Sequence, residues 1–142
     1  MRRPSIVLLT VLAVACSGRA PAPPIEVRDP WARPADSAAT TAAYFVVLNH
    51  EAMAVTLTAA SSPIARSAGV HETMVMSGTM HMMAIDAPLV IAAGDSLVLS
   101  PGAKHLMVAG LARRLSPGDS LPLHLAFADG RVLPVAAVIR AP

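Results

Sequence analysis

The sequence predicts an all-β domain, a Greek-key sandwich or barrel, and three observations carry that prediction. Short runs of β-branched and apolar residues recur from Ile25 onward. Turn formers such as "SSP", "AAGD", "SPGAK", "SPGDS" and "ADG" separate them. No amphipathic helical pattern of ten residues or more stands outside the N-terminal segment. A length of 142 residues fits a single domain, and a hydrophobic content of 54% leaves enough for a core once the N-terminal apolar run is set aside.

That N-terminal run has its own logic. "MRRPS" is a basic head, "IVLLTVLAVA" is an apolar stretch of ten, and "CSG" follows. The pattern is that of a secretory signal peptide over residues 1–15, too short to span a bilayer as a mature helix. Cys16 is the chain's only cysteine, and "LAVAC" resembles the lipobox of bacterial lipoproteins, with Ala13 where leucine is most usual. The resemblance implies a diacylglyceryl group on Cys16 and a lipid-anchored protein of the bacterial periplasm. An ordinary cleaved signal with an incidental thiol is the alternative. Residues 16–25 then form a Pro/Ala-rich tether, and at ~3.1 Å per residue such a spacer holds the domain (26–142) about 25–30 Å from its anchor.

Arg2 and Arg3 account for two of the eleven basic residues, so nine basic side chains face nine acidic ones after the signal is removed. That balance, with no basic stripe interleaved with aromatics, argues against a nucleic-acid partner. Strands are expected, in order, at 25–34, 41–50, 54–62, 65–73, 79–85, 88–93, 96–100, 105–111, 121–127 and 132–140, and "ADGR" reads as a tight hairpin. The Ala-rich stretch at 37–43 could hold a helical turn, but "AYFVVL" draws it toward strand.

Chemistry concentrates in "HETMVMSGTMHMM", residues 71–83, where two histidines and five methionines occupy thirteen positions; "KHLMVAGL" adds His105 and Met107. Methionine is an adaptable core filler, and that is its commoner role. It is also a soft, uncharged ligand with no proton to lose, suited with neutral imidazole to Cu(I). A hard cation would want an acidic cluster, and structural zinc would want thiolates beyond Cys16. Strand alternation places His105 and Met107 on one face, Met80 and Met82 on one face, and His81 and Met83 on the opposite one. His50 reads as a turn residue, and His124, alternating with leucines, as exposed or hydrogen-bonded. Trp31 and Tyr44 read as packing residues.

His71-Glu72-Thr73, "GTMHM" and "AAGDSLVLSPGAKHLMVAGL", with "DPWARP" and "TAAYFVVLNH" upstream, together resemble the periplasmic copper chaperones of the PCu(A)C type. The resemblance runs from about Glu26 onward. It implies a cupredoxin-like β-sandwich and one Cu(I) per chain, held by two His and two Met. The family motif is His, ten residues, Met, twenty-one residues, His-x-Met. By position it implies His71, Met82, His105 and Met107 as ligands, with Met80 and Met83 as substitutes. Twenty-two residues, rather than twenty-one, separate Met82 from His105 here; choosing Met83 would restore that spacing and break the first. The resemblance further implies a monomer that serves the dinuclear copper site of a cytochrome oxidase or another copper chaperone.

Other readings are a copper-sequestering resistance lipoprotein and a structural or binding lipoprotein without metal. A blue-copper electron carrier would need a cysteine ligand that the domain does not offer. No Ser-His-Asp or Cys-His pattern with identifiable context points to an enzyme.

Overall fold

A computed structural model describes residues 21–141; the signal segment, Cys16 and the first part of the tether lie outside the described residues. Ten strands follow one another: β1 (Ile25–Ala32), β2 (Thr40–Asn49), β3 (Val55–Ser61), β4 (Ala65–Met76), β5 (Thr79–Ala84), β6 (Leu89–Ile91), β7 (Ser96–Leu99), β8 (Lys104–Leu111), β9 (Ser120–Phe127) and β10 (Val132–Ile139). Each corresponds to one of the ten apolar runs of the sequence. Among the described residues no helix is long and apolar enough to cross a membrane.

The strands form one continuous path, β5-β4-β8-β2-β1-β10-β9-β3-β6, with β7 also paired to β2. Every ladder is antiparallel except β1 with β10. Alternation decides which side chains turn inward. Ala43, Phe45 and Val47 of β2 join Leu106 and Val108 of β8, Leu121, Leu123 and Leu125 of β9, and Ala137 and Ile139 of β10 in one core. The intervening residues of β2 and β8, namely Ala42, Tyr44, His105 and Met107, therefore lie on the outer side of the sheet.

Two local features position that outer face. The β1–β2 register shifts between Arg28 and Trp31, where Asp29 has a φ of 48° and Pro30 has no N–H to give. This bulge brings Trp31 opposite Tyr44. At the far edge, β4 and β5 are joined by the two-residue turn Ser77–Gly78, with φ of 51° and 77°. Two positive φ values in a two-residue loop are those of a type I′ hairpin, whose twist matches the strands it joins. β4 accordingly runs on to Met76, three residues beyond the expected 65–73. Residues 37–39 turn rather than forming a helix, and strand structure begins at Thr40.

Candidate metal centre

The site is built on a row of rings across four strands. Register places Trp31 opposite Tyr44, and His105 directly opposite His71. The Trp31 and Tyr44 ring centroids are 4.6 Å apart, Tyr44 and His105 6.5 Å, and His105 and His71 6.2 Å with planes only 24° apart. Guanidinium groups cover the row from outside, Arg140 over Trp31 at 5.2 Å and Arg33 over Tyr44 at 5.7 Å. Covered in this way, Tyr44 and His105 are buried although they face away from the core.

The two imidazoles are oriented alike. Nδ1 of His105 lies 2.9 Å from the Ala103 carbonyl oxygen, and Nδ1 of His71 lies 3.2 Å from that of Gly69. A carbonyl oxygen can only accept, so each Nδ1 carries the hydrogen and each neutral ring keeps its lone pair on Nε2. A hydrogen bond at the far nitrogen that fixes tautomer and ring orientation is the usual support of a metal-binding histidine. Nε2 of His105 is buried and has no hydrogen-bond partner, alone among the buried side-chain nitrogen and oxygen atoms of the described residues. Leaving such an atom unpaired is unfavourable by about 1–3 kcal/mol.

Met80, Met82, His105 and Met107 line one open cavity of about 390 Å³, together with Tyr44 and Thr73. Met82 is opposite Thr73 and Met80 opposite Val75 in the β4–β5 ladder, and Met107 is opposite Ala42 on β2. Met83 pairs with Glu72 and so lies on the other face of β5, where Lys104 Nζ donates to Glu72 Oε1 at 2.9 Å. His71 is not among the cavity-lining residues and joins the group through its stacking on His105. No carboxylate lines the cavity, and among the described residues no three His, Cys, Asp or Glu side chains gather as a metal-holding group. The donors that converge are soft and neutral, which is unfavourable for Ca²⁺ or Mg²⁺ and favourable for Cu(I).

Tyr44 is the residue that sequence reasoning undervalued. It packs, as expected, but it also walls the cavity and backs His105. His81 and His124 are exposed, and His81, opposite Met74, is on the face away from Met80 and Met82, as alternation requires. His50 is exposed too, with its Nε2 2.7 Å from Glu26 Oε2, a contact between residues far apart in sequence.

Comparison with known proteins agrees with this architecture. Residues 25–139 match the family described as "Putative lipoprotein LpqE-like". Putative lipoprotein Lxx21020 of Leifsonia xyli is 33% identical over 116 residues, covering 82% of this chain and 69% of that protein. The copper-bound PCuAC domain from PmoF2 superposes with a TM-score of 0.68 at 19% identity, over 84% of this chain and 95% of that one. Apo-DR1885 from Deinococcus radiodurans gives 0.61 at 29% identity, over 100% and 96%; its Cu(I) form gives 0.51 at 28%, over 78% and 76%. The ten-stranded fold is thus the cupredoxin-like β-barrel of PCuAC domains, and the chain belongs to the LpqE-like family.

Proposed function

We propose that this protein is an extracytoplasmic carrier of one Cu(I) ion, held by His71, Met82, His105 and Met107. The observation that carries the reading is the buried, unpartnered Nε2 of His105, whose lone pair is oriented by the Nδ1 bond and which shares a cavity with three thioethers. The register supports Met82 over Met83, since only Met82 lies on the cavity side of β5; Met80, two residues earlier on that side, is the available substitute. The LpqE-like match and the copper named for PmoF2 and DR1885 support both the lipoprotein character and the ion.

The ligand set suits a carrier rather than a store. Thioether and neutral imidazole add no charge, so transfer to an acceptor that offers thiolate is downhill for a soft cation. The buried histidine fixes the inner side of the site. Met80 and Met82, 68% and 55% exposed, form a rim that an acceptor can reach. A lipid anchor at Cys16 and the Pro-rich tether keep the donor near membrane partners, which raises its effective concentration there. The acceptor in this reading is the dinuclear copper site of a respiratory oxidase.

Anaerobic titration with Cu(I) against a competing chelator, followed by copper X-ray absorption, tests the proposal. One tightly held equivalent with mixed nitrogen and sulfur scatterers is expected, and the loaded protein should then metallate an isolated oxidase copper-site domain. Failure to hold Cu(I) at micromolar free concentrations sinks the carrier reading. Tight binding without transfer leaves the site and points to sequestration.

A further inference from the structure

The β4–β5 hairpin carries a second set of soft donors on its other face. β5 is the outermost strand of the path, and all six of its residues are exposed. Of the eleven large hydrophobic side chains exposed among the described residues, six lie between Met74 and Met83, so the exposure is concentrated on this one hairpin. Alternation divides them between two faces, and the metal-cavity face takes Val75, Met80 and Met82.

The remaining face centres on His81. In the ladder His81 is directly opposite Met74, Met76 is diagonal to it, and Met83 is two positions along its own strand. Three of its five same-face neighbours (Glu72, Met74, Met76, Thr79 and Met83) are therefore methionines. Directly opposed Cβ atoms in an antiparallel pair are about 4.5–5.5 Å apart, and diagonal or same-strand neighbours about 7 Å. Methionine has three rotatable bonds and reaches across such gaps easily. Glu72, the carboxylate on this face, is paired through Oε1 with Lys104 Nζ at 2.9 Å. The exposures of Met74, Met76 and Met83, at 44%, 50% and 50%, show that this face extends past the core.

We propose that this face is a second, separate site for a soft monovalent d10 cation, Cu(I) or Ag(I), with Met74, His81 and Met83 as its donors. It uses residues distinct from those of the cavity and does not require the cavity to hold a metal. The two sets lie on opposite faces of the β4–β5 hairpin, so one ion cannot satisfy both. Binding here is weaker than in the cavity, because three exposed side chains must be ordered when the ion arrives, whereas His105 is already fixed. The outer face then acts as a loading point, within one strand's thickness of the inner site.

The test is Ag(I) titration of the protein carrying Cys16→Ser, which removes a competing thiol, with the methionine methyl and histidine ring resonances followed by NMR. Two equivalents are expected. The first shifts Met82 and Met107. The second, about tenfold weaker or more, shifts the Met74 and Met83 methyls and the His81 ring. A His81→Ala, Met83→Leu double variant should lose the second equivalent and keep the first, with an unchanged amide spectrum as proof of fold. If the Met74 and Met83 methyls stay still after the first equivalent is bound, the second site does not exist, whatever the double variant does. If the cavity resonances stay still while these move, the carrier proposal fails and this one stands.

Discussion

Two buried polar residues at opposite ends of the fold make different use of the same resource. Asn49, at the end of β2, is 1% exposed and completely satisfied: Nδ2 lies 2.8, 3.1 and 3.0 Å from the carbonyls of Met53, Ile91 and Ala92, and Oδ1 accepts from Glu51 N at 2.9 Å. His105, 4% exposed and beside the first half of β2, has one nitrogen bonded and the other left bare. Thr41 and Ser62, the other buried polar residues, are hydrogen-bonded as well, to Arg33 O and Pro122 O. Networks of the Asn49 kind hold a turn in place and specify the fold. A lone unpaired acceptor nitrogen among satisfied polar groups lowers stability, and the proposed metal site gives it a partner.

Substitution at the two positions should therefore give opposite results. Asn49→Ala removes its bonds to three carbonyls and one amide, of which Ala92 O keeps the Asp95 N–H, and should lower stability by about 1–3 kcal/mol in denaturant unfolding, while Cu(I) affinity stays within about twofold of the original. His105→Leu removes an unpaired atom along with one hydrogen bond, so the metal-free protein should be no less stable. Its Cu(I) affinity should fall by about 100-fold or more, exceeding what loss of an outer-sphere partner usually costs. If His105→Leu unfolds the protein as Asn49→Ala weakens it, the imidazole is structural and the comparison breaks.

The methionine end sharpens the contrast at smaller scale. Met82→Leu keeps volume at a half-exposed position, so packing should change by < ~1.5 kcal/mol. Chelator competition should nonetheless show Cu(I) binding weaker by about tenfold, with Met80 able to substitute in part; a tenfold change is about 1.4 kcal/mol. Met83→Leu, on the other face of β5, should leave this first equivalent unchanged. The reverse outcome would transfer the ligand role to Met83 and mean that the strand register differs in the metal-bound state.

Much of this was legible in the sequence, and the failures have a common cause. All ten strands were, because each alternates or clusters apolar residues between turn formers; burial on one face imposes that pattern in most of them, whereas β5, exposed along its whole length, shows only as a run of apolar side chains after the "SGT" turn. The extension of β4 to Met76 was not, because "MVM" is exposed on both faces and has no buried side to create a period of two. The faces of Met80, Met82 and Met83 followed from alternation alone. What stayed hidden was non-local. The spacing between His71 and His105 does not disclose that they are directly opposite, Tyr44 comes beside His105 through the β2–β8 register, and the bulge at Asp29–Pro30 brings Trp31 opposite Tyr44. The His50–Glu26 contact joins two strands' ends and has no local signature at all.

That contact supplies the smallest expected effect. Around the Asn49 end the chain places exposed polar contacts, the ion pair of Glu26 with Arg28 and its hydrogen bond with His50, and the ion pairs of Arg131 with Glu51 and Asp129. Arg28 Nε donates to Glu26 Oε1 at 2.7 Å, and His50 Nε2 is 2.7 Å from Oε2. The Arg28 bond first, and the His50 bond second, pull the Glu26 carboxyl from its ordinary 4.5 down to about 2. A folded-state value below the unfolded one means that the contribution to stability is fully present above pH 4.5. It is then lost progressively as pH falls from 4.5 through about 2. Because the pair is exposed, solvent and salt screen it, and the resulting slope in stability should be shallow and flatten further in high salt. Carboxyl ¹³C NMR is the sharper measurement: Glu26 should titrate well below the other glutamates, and Arg28→Gln should raise its midpoint more than His50→Gln does. A Glu26 midpoint near 4.5 in the unsubstituted protein would show that its contacts with Arg28 and His50 do not persist in solution, leaving Asn49 and the Arg131 cluster as the polar side-chain ties at that end of the barrel.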